Sequence, residues 1–566
     1  MDITPQSTVY ILSGVPLDKN YQHTYLFNTA SQQETYFKSK IKHSFVNNLT
    51  YQRYAKGSLK IQELADNLYD CNYLMFNNST TTSAGNFANK WFYAFIDSIE
   101  YVNNQTCLVN YTIDIIQTWW FDFTLGECFI EREHQSTDVA GDNKIPENLE
   151  LGPIFSEVKS RFIDTLSGVD SQLAVVFATS VNLEGSTTGT DFVNDPTAKG
   201  PVGPYIYNGV VTGVQYAVGL LNYGGANTPI LTILNHLIEQ RPDTIVSMHM
   251  LPAVFINNTG GVDPNGWMNI NTSTTNVNSP IKSATWNIGP KDISSIGTYT
   301  PKNKKLLTHP YNYLLVTNNE GDSVQWHYED FGNISNIVCE LHTNISPDSI
   351  IRCSPRGYKG LFVNLNESIV MSGYPLGSYS QGAYEQWFAQ HRNSLFASLT
   401  SSLATSAIGA VKTMLGGNPN PGQPLNALTH VGQTIAMIKD MEALPASVKG
   451  NIQAGDVNIA SDNKTFVAYH SHITEEFAKI IDDYFTRFGY ACHRVKTPNV
   501  ILGPLYRRPY FNYVKTVGCN VLPDDLNNTC MPAEDMRRIE SIFDNGITFW
   551  TPGTNIGDYS YNNAPT

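Results

Sequence analysis

The first part of the chain alternates between apolar and polar positions in a way that predicts β-strands. Residues 91–96 form a β-branched and aromatic run, and residues 107–114 alternate apolar with polar side chains as a half-buried strand does. Asn103 and Asn104 lie between the two runs and favour a turn. The pattern therefore predicts a β-hairpin within a strand-rich region that covers residues 1–165.

The middle part of the chain, residues 166–375, also favours strands. The run 173–178 (LAVVFA) predicts a short buried strand, and apolar residues at helical spacing predict a short helix over 230–237. Stretches rich in Gly, Thr and Asn at 185–190 and 257–278 predict surface loops. We therefore expect a second β-rich region with long loops.

The C-terminal part shows clear helical periodicity. Seven apolar side chains from Ile473 to Phe488 fall on one helical face, and Gly489 follows as a natural end of the helix. A second helical pattern ends at Gly546, and the run 547–550 after it predicts a strand. These elements are typical of an ordinary globular domain.

Between Asn393 and Ile438 the pattern changes, because this segment carries a single formal charge, that of Lys412. Two apolar arms, 395–415 and 425–444, flank the sequence GGNPNPGQP, in which Gly and Pro cannot continue a helix. The first arm would span about 32 Å as a helix, roughly the hydrocarbon thickness of a bilayer. The apolar positions expected to carry its function are Leu395, Phe396, Leu399, Leu403, Ile408, Val411, Met414, Leu415, Leu425, Leu428, Ile435, Met437 and Ile438.

This segment has two interpretations. It could form a helical pair buried in a core, but Ala, Ser, Thr and Gly fill a soluble core poorly. The same residues suit close helix packing in membranes and segments that change partners. We therefore expect residues 376–455, hereafter the apolar loop, to be membrane-active or channel-plugging when triggered. The helical pattern over 376–392 leads into it.

Composition narrows the class of protein. Charged residues make up 15% of the 566 residues, and the formal net charge is −14. Ordinary soluble domains contain roughly 25% charged residues, so this composition favours a rigid, β-rich extracellular or virion protein. The net charge argues against a domain that neutralises nucleic-acid phosphates with a basic patch. It is compatible with a passage through which DNA slides, because an acidic wall does not trap phosphate.

The cysteines and the start of the chain add two expectations. The eight cysteines are irregularly spaced and form no C-x-x-C pair, which argues against a zinc ribbon or a thioredoxin-like motif. We expect reduced and mostly buried thiols. The opening sequence MDITPQSTVYILSG lacks a basic region followed by an apolar stretch, so we expect no secretory signal.

The sequence offers little catalytic chemistry. It contains no His-Glu-x-x-His motif, no G-x-S-x-G motif and no Gly-Lys-Ser/Thr phosphate loop. The stretch 131–134 (EREH) places two carboxylates beside an imidazole, but ion pairing is the more common role of such a group. The stretch 326–330 (WHYED) could line a sugar site, whereas 119–121 (WWF) favours a core or subunit interface. Arg507 and Arg508 favour a solvated or interfacial position. We expect no catalytic residue, no metal and no cofactor.

Six motifs occur together in the order in which a known family carries them. They are 89–95 (NKWFYAF), 113–122 (IDIIQTWWFD), 129–134 (FIEREH), 494–499 (RVKTPN), 511–516 (FNYVKT) and 542–550 (IFDNGITFW). As a set they resemble the distal tail knob, or tail tube, proteins of small short-tailed phages of the phi29 type. The resemblance covers roughly residues 1–140 and 455–566. Its tube and fold motif residues are Trp91, Tyr93, Gln117, Trp119, Asp122, Arg132, His134, Asp544, Gly546 and Trp550.

The resemblance implies a fold class and a division of the chain. The fold is expected to be mainly β with some α, with tail-tube-like β-barrel or sandwich domains that form a ring, plus a long apolar loop excursion. We expect a tube-forming β-domain, a middle accessory region, the apolar loop and the C-terminal part of the tube domain, at 1–165, 166–375, 376–455 and 456–566.

The resemblance also implies a function. Such a chain forms a homohexamer at the distal end of the virion tail, in contact with other tail proteins, and is not an enzyme. Double-stranded DNA passes through it without sequence-specific binding. The apolar loops plug the channel and, once triggered, penetrate the host membrane. This chain departs from the family in its compact tip and in Lys412, whose charge at mid-depth costs roughly 3 kcal/mol, so deep insertion of the first arm is the weaker expectation.

Two other functions stay open on the sequence alone. Aromatic and Asn/Thr/Gly-rich loops within 185–330 suit a tail protein that binds a receptor or a cell-wall polysaccharide. Pairs of Glu or Asp could also serve a wall-degrading enzyme. Binding to host wall polysaccharide and zymography on host walls separate these functions from a structural one.

Overall fold

The structure is a computed structural model of the 566-residue chain. It describes residues 7–49, 52, 56–78, 90–163, 173–179, 205–207, 210–212, 215–220, 245–262, 267–270, 280–345, 349–372, 376–378, 464–498, 508–523 and 531–565. These residues contain 29 β-strands and only four α-helices, so the mainly β class with some α is confirmed.

The strands and helices follow one another along the chain in this order. The first nine strands are β1 (Ser7–Ser13), β2 (His23–Tyr25), β3 (Ile41–Leu49), β4 (Lys56–Ile61), β5 (Cys71–Asn78), β6 (Trp91–Asn103), β7 (Thr106–Ile113), β8 (Phe123–Leu125) and β9 (Cys128–Glu133). The next sixteen are β10 (Ile154–Arg161), β11 (Leu173–Thr179), β12 (Tyr205–Tyr207), β13 (Val210–Thr212), β14 (Gln215–Leu220), β15 (Ile245–Pro252), β16 (Asn258–Val262), β17 (Trp267–Ile270), β18 (Ala284–Pro290), β19 (Asn312–Thr317), β20 (Ser323–Trp326), β21 (Asn336–His342), β22 (Ile351–Pro355), β23 (Ile369–Met371), β24 (Leu376–Ser378) and β25 (Val467–Ile473). The last four are β26 (Tyr490–Lys496), β27 (Phe511–Val517), β28 (Val521–Pro523) and β29 (Ile547–Trp550). The helices are α1 (Ala30–Lys38), α2 (Ile115–Trp119), α3 (Glu475–Phe488) and α4 (Ala533–Asn545).

The chain divides into two compact units, each built from separate stretches of sequence. Unit 1 consists of Met1–Pro153, Ser294–Tyr311 and Ile473–Thr566, and unit 2 consists of Ile154–Ile293 and Asn312–His472. Segments far apart along the chain therefore share one core in each unit. The domain boundaries expected from the sequence stay a prediction.

Unit 1 contains two large sheets. A six-stranded sheet has the order β3-β1-β5-β6-β7-β4, and a five-stranded sheet has the order β2-β29-β27-β9-β26. A short ladder joins β28 to β8. The five-stranded sheet combines strands from both ends of the sequence, and its pair β2–β29 is parallel. The N-terminal and C-terminal motifs thus belong to one folding unit.

The hairpin predicted within 91–114 is confirmed as β6 and β7. Strand β7 alternates strictly, with Cys107, Val109, Tyr111 and Ile113 buried and the residues between them partly exposed. This period of two places one face of the strand in the core of unit 1. The alternation that predicts the strand also determines which of its faces is buried.

Unit 2 is built from a second set of sheets. Their orders are β10-β25-β19-β20, β16-β17-β14-β11-β15-β24, β18-β21-β22-β23 and β12-β13. The strand predicted over 173–178 is confirmed as β11, where Ala174 and Val176 are fully buried. Those side chains belong to a core that also contains Trp286 and Trp326.

Helices α3 and α4 confirm the predicted C-terminal elements. Helix α3 ends at Gly489, whose φ of 65° suits glycine, and α4 ends at Gly546 with a φ of 91°. One detail of the predicted apolar face was wrong, because Ile480 is 64% exposed. The buried side of α3 instead contains Asp482, which is 1% exposed.

One predicted loop was wrong in part. The stretch 257–278 contains strands β16 and β17, because Trp267 and Met268 pack into the interior and pair with β14. The sequence pattern did not predict these two strands, because the stretch contains many Asn, Thr and Gly residues, which favour loops. The predicted loop at 185–190 and the predicted helix over 230–237 lie outside the described residues. The predicted helix over 376–392 was wrong at its start, because Leu376–Ser378 form strand β24 and pair with β15; residues 379–392 lie outside the described residues.

Among the described helices, none is both long enough and apolar enough to cross a bilayer.

Candidate functional site

The ten tube and fold motif residues all lie in unit 1. They occupy the two large sheets, helix α2, the turn between α2 and β8, and the ends of helix α4 and strand β9. The thirteen predicted apolar-loop positions lie outside the described residues, and they are Leu395, Phe396, Leu399, Leu403, Ile408, Val411, Met414, Leu415, Leu425, Leu428, Ile435, Met437 and Ile438. The structure therefore describes the tube and fold motif residues and not the predicted loop positions.

Gln117 joins three segments of unit 1. Its Nε2 donates to Thr24 Oγ1 at 2.8 Å and to the carbonyl of Tyr25 at 2.7 Å, and its Oε1 accepts from Gln33 Nε2 at 2.8 Å. Because Gln117 is 2% exposed, each of these hydrogen bonds satisfies a group that is cut off from water. Its role is to hold β2, α1 and α2 together.

Asp114 begins helix α2 and was not singled out by the sequence. Its carboxylate accepts from the backbone N–H of Gln117 at 3.1 Å and from the hydroxyl of Tyr73 at 2.9 Å. Burial raises the pKa of Asp114 to about 6, and these two hydrogen bonds oppose the rise. The helix start is thus held by a carboxylate in the core.

Trp119 is a core residue. It is 1% exposed, and its Nε1 donates to Asp535 Oδ2 at 3.1 Å. The Lys90 ammonium lies 3.8 Å from the centre of the ring and pairs with Asp122. Burial lowers the pKa of Lys90, and Asp122 opposes that shift. The predicted core role of this aromatic stretch is confirmed for Trp119.

Trp91 and Tyr93 lie two residues apart on β6 and differ in surroundings. Tyr93 is 2% exposed, and its carbonyl accepts from the N–H of Asp114 at 2.8 Å. Trp91 is half-buried and stacks on Tyr10 with ring centres 5.3 Å apart. The Tyr93 carbonyl thus holds the start of α2, and the half-buried Trp91 ring packs on Tyr10 of β1.

His134 is a buried neutral histidine. The N–H of Tyr513 donates to its Nδ1 at 2.7 Å, so Nε2 carries the proton and donates to the carbonyl of Thr486 at 3.0 Å. Burial lowers the pKa of His134 to about 3, and the nearby charge of Arg508 adds to the effect. The ring joins β27 to α3 and is not available for proton transfer at neutral pH.

Arg132 belongs to a buried network of charges. Its NH1 donates to the carbonyl of Gly489 at 2.6 Å, and its NH2 pairs with Glu147. The carboxylate of Glu147 also accepts from Lys305 Nζ at 2.7 Å and from the N–H of Ala491 at 2.8 Å. All three stretches of unit 1 meet at this carboxylate.

Two glycines allow elements to approach closely. A Cβ at Gly489 would lie 2.3 Å from the backbone oxygen of Glu133, and one at Gly546 would lie 2.2 Å from the hydroxyl of Tyr513. Both residues have φ values in the left-handed region. A side chain at either position would push a helix end away from the five-stranded sheet.

Asp544 and Trp550 complete the C-terminal motif. Asp544 Oδ1 accepts from Thr516 Oγ1 at 2.7 Å and from the N–H of Cys519 at 3.1 Å, which fixes the turn after β27. Trp550 is fully buried, and its Nε1 donates to His23 Nδ1 at 3.2 Å. These contacts hold the C-terminal helix and strand in the sheet.

Asp482 is a further residue that sequence reasoning missed. Its carboxylate accepts from the hydroxyl of Tyr299 at 2.5 Å and from the N–H groups of Lys302 and Asn303 at 2.8 and 3.0 Å. It therefore ties the stretch Ser294–Tyr311 to α3. The sequence offered no clear signal, because position 482 is not among the seven apolar positions that define the predicted buried face of α3.

The acidic and basic residues of the motif at 131–134 are ion-paired. Glu133 pairs with Lys496, and Glu131 pairs with Lys515 at 2.9 Å. Ion pairing, the interpretation favoured by the pattern, is thus confirmed.

The expectation that Arg508 is solvated or interfacial was wrong. Its guanidinium is buried and donates to the carbonyl of Gln135 at 3.0 Å. Arg507 lies outside the described residues.

The aromatic stretch at 326–330 does not present a platform for a sugar. Trp326 is fully buried, with its Nε1 donating to the carbonyl of Glu367 at 2.9 Å, and Tyr328 is 4% exposed. Both rings belong to the core of unit 2. Stacking on a sugar needs an exposed ring face, which neither of these provides.

The described thiols are buried and reduced. Seven of the eight cysteines are described, and all seven are buried free thiols, as the sequence predicts. Within the described ranges, no group of three or more His, Cys, Asp or Glu side chains is arranged to hold a metal ion. The polar groups described above serve to connect secondary-structure elements.

Comparison with family models gives two matches. Residues 269–564 match the model of the C-terminal domain of tail knob protein gp9 of Bacillus phage phi29. Residues 5–124 match the model of the N-terminus of the caudoviral major tail protein. The second match contains the hairpin β6–β7 and helix α2.

Comparison with individual proteins covers nearly the whole chain. The chain is 25% identical to tail knob protein gp9 of Bacillus phage B103 and 24% identical to that of Bacillus phage phi29, each over 98% of both sequences. In fold it is similar to the bacteriophage C1 tail knob protein gp12, with a TM-score of 0.60 and 13% identity over 98% of each chain.

Proposed function

We propose a function for this chain from the premise that it belongs to the tail knob protein gp9 family of phi29-type phages. It is accordingly a structural protein of the virion tail. We infer that six copies form a ring at the distal tip, that DNA passes through the ring, and that the apolar loops first plug it and then penetrate the host membrane. We further infer that the chain has no enzymatic activity.

Support for a rigid conduit comes from unit 1. Its motif side chains use their polar groups to join sheets and helices, as Gln117, His134 and Glu147 do. Buried, fully engaged polar networks favour a single rigid arrangement. The formal net charge of −14 suits a wall along which DNA slides.

The observation that carries the proposal is the contrast between this framework and the apolar loop. In the described units, the charged side chains that reach the interior are ion-paired, as Glu147 is with Lys305, or hydrogen-bonded, as Asp482 is to Tyr299. The segment 393–438 carries only Lys412 and no acid. A segment of 46 residues with one formal charge, inserted in an acidic protein, supports a role in an apolar environment.

Deletion of residues 395–445 tests the membrane role. We expect the deleted protein to assemble as the full chain does, and to lose its ability to release dye from liposomes. Equal dye release from both proteins would contradict membrane penetration and leave the tail-tip role intact. Negative-stain microscopy of the full chain checks the ring, and particles without six-fold symmetry would contradict the conduit.

A pair of single substitutions gives a matched control for the deletion. Leu403→Asp places a negative charge in the first arm, where insertion at mid-depth costs roughly 3 kcal/mol, and should strongly reduce dye release. Asn418→Asp places the same charge in the Gly/Pro-rich tip and should have a much smaller effect. Equal effects of the two substitutions would contradict insertion of the first arm.

A further inference from the structure

A single turn of unit 2 contacts the chain on both sides of the apolar loop. The turn comprises residues 318–322 (NNEGD), lies between β19 and β20, and is hereafter the clamp turn. Ser372 precedes the apolar loop and Lys464 follows it, 92 positions further along the sequence. The Nζ of Lys464 nevertheless donates to the carbonyl of Ser372. The two ends of the segment that contains the loop therefore meet within unit 2.

The clamp turn is held in shape by its own hydrogen bonds. Asn318 is 2% exposed, and its Oδ1 accepts from the N–H groups of Glu320 at 2.8 Å and Asp322 at 3.2 Å. Thr317 Oγ1 donates to the carbonyl of Asp322 at 2.9 Å. An Asn side chain that satisfies the N–H groups of the residues after it fixes a turn. The clamp turn therefore presents its other side chains in one arrangement.

Two hydrogen bonds join the clamp turn to the chain ahead of the loop. Asn318 Nδ2 donates to the carbonyl of Val370 on β23 at 2.8 Å, and Glu320 Oε2 accepts from the N–H of Ser372 at 3.3 Å. Strand β23 also pairs with β22, so this part of the chain belongs to a sheet of unit 2. A further attachment follows Ser372, because β24 pairs with β15.

The same turn holds the chain that follows the loop. Glu320 Oε1 pairs with Nζ of Lys464, and Asn319 Nδ2 donates to the carbonyl of Thr465 at 3.3 Å. The side chains of Lys464 and Glu320 are only 4% and 13% exposed. Water and salt screen a shielded ion pair less than a surface pair, so this attraction is comparatively strong. Glu320 thus contacts one end of the segment with each of its two carboxylate oxygens.

The core of unit 2 begins directly after Lys464. Phe466 and Ala468 are fully buried in that core, and Val467 lies opposite Thr317 on β19. A movement of the chain that passed beyond Lys464 would expose these side chains to water, which is unfavourable in proportion to their apolar area. The clamp turn therefore lies at the boundary between the loop segment and the core.

We propose that Glu320 anchors the apolar loop: its carboxylate holds both ends of the loop segment to unit 2, and rearrangement of the loop stops at Ser372 and Lys464. The inference rests on the proposed function, in which the loop first plugs a channel and then enters a membrane. An anchor at this place lets the loop change its surroundings while the sheets on either side of the clamp turn keep their fold.

Charge reversal in the full-length chain tests the anchor. Glu320→Lys places two ammonium groups at the clamp turn, whereas Glu320→Lys combined with Lys464→Glu restores an ion pair with its direction reversed. Glu320→Gln is a milder variant that keeps the size of the side chain. The matched control is Glu367→Lys in the same unit, because the pair that Glu367 forms with Lys359 is 31% and 47% exposed and contributes little.

Hydrogen–deuterium exchange of the peptides that cover 369–372 and 464–468 is the measurement. Glu320→Lys should raise exchange in both peptides by roughly tenfold or more, because a shielded ammonium group is left beside a like charge. Glu320→Gln should show a smaller rise in both, and the double substitution should restore most of the protection. The control should match the unchanged chain. Unchanged exchange of β21 in all the proteins shows that unit 2 is folded.

Phosphatidylcholine liposomes test whether the anchor holds while the loop acts. When the unchanged chain binds them, exchange of peptides within 395–445 should change, whereas 369–372 and 464–468 should stay as protected as in the free protein. A rise in exchange at 464–468 on binding would show that the clamp opens, and it overturns the inference.

The outcomes separate the anchor from the proposed function. Equal exchange of both peptides in Glu320→Lys and Glu367→Lys overturns the anchor and leaves the membrane role, which the deletion of 395–445 tests on its own. If the unchanged chain releases no dye, the membrane role fails. The comparison of the variants in solution then still decides whether Glu320 holds both ends of the segment.

Discussion

Lys305 donates from Nζ to Oε1 of Glu147 across 2.7 Å, although the two residues are 158 positions apart in the sequence. Both side chains are buried, with 3% and 2% exposed. Between them the chain leaves unit 1, passes through part of unit 2 and returns. This ion pair is one of the contacts that make unit 1 a single body despite its three stretches.

Glu147→Gln should strongly destabilise unit 1. The amide keeps the size of the side chain but leaves the cations of Arg132 and Lys305 without their buried partner, at a cost of about 3–5 kcal/mol. Denaturant unfolding measures the change. Glu150→Gln, at an exposed position three residues later, is the control and should stay within about 0.5 kcal/mol of the unchanged chain. Equal stabilities of the two variants would contradict the importance of the pair.

Gly489→Ala should destabilise far more than Gly518→Ala. The two glycines have nearly the same φ, 65° and 68°, and Gly489 in addition has a ψ of −151°, a combination that is essentially confined to glycine. At Gly489 a Cβ would lie 2.3 Å from the backbone oxygen of Glu133, whereas nothing lies within 4 Å at Gly518. We expect about 1 kcal/mol at Gly518 and at least about 3 kcal/mol at Gly489. Thermal unfolding gives both values, and a similar loss at both sites would argue against the close approach.

Acid should weaken the protein through His134. Its pKa is about 3 in the folded chain against an ordinary value of 6.5, so between these pH values the unfolded chain binds a proton that the folded chain does not. The free energy of unfolding therefore falls as pH drops below about 6.5, by at most roughly 1.4 kcal/mol per pH unit from this residue. Above that range the residue contributes no slope.

The variant His134→Gln isolates this contribution. Glutamine can accept from Tyr513 and donate to Thr486 without binding a proton. Its free energy of unfolding should depend less steeply on pH between about 6.5 and 3. The difference in slope should correspond to close to one proton fewer taken up on unfolding. Identical slopes for the variant and the unchanged chain would show that His134 does not carry the effect.

The thiols should be slow to react in the folded protein. Burial raises the pKa of Cys492 to about 11 and that of Cys519 to about 12, and it also blocks access to the reagent. A rise of two units lowers the thiolate fraction about 100-fold at neutral pH. Titration with a disulfide reagent should find at most one fast thiol before unfolding, that of Cys530, and eight after it. Several fast thiols in the native protein would contradict the burial of these side chains.

Periodic segments were predicted well, because their signal is local. Cys107, Val109, Tyr111 and Ile113 are buried in the order in which the alternation predicts them. The helix before Gly489 and the strand after Gly546 follow from apolar spacing and a glycine at the helix end. The motif residues also gave the family, since short patterns in a fixed order need no knowledge of the fold.

Isolated residues were predicted poorly, because their role depends on partners that are far away in sequence. Trp267 lies in a stretch that looks like a loop, and only its pairing with β14 places it in the core. The apolar Ile480 is exposed, and the acidic Asp482 is buried. Asp482 can be buried because three hydrogen-bond donors on the stretch Ser294–Tyr311 contact its carboxylate.

The sequence by itself determined the strand-rich class, the C-terminal helices, the family and the single formal charge over residues 393–438. These depend on period, composition and order along the chain. The tertiary structure alone decided that carboxylates such as Glu147 and Asp482 join separate stretches, and that Glu320 contacts both Ser372 and Lys464. The physical reason is that burial and pairing are properties of contacts between distant segments, and a sequence pattern records only near neighbours.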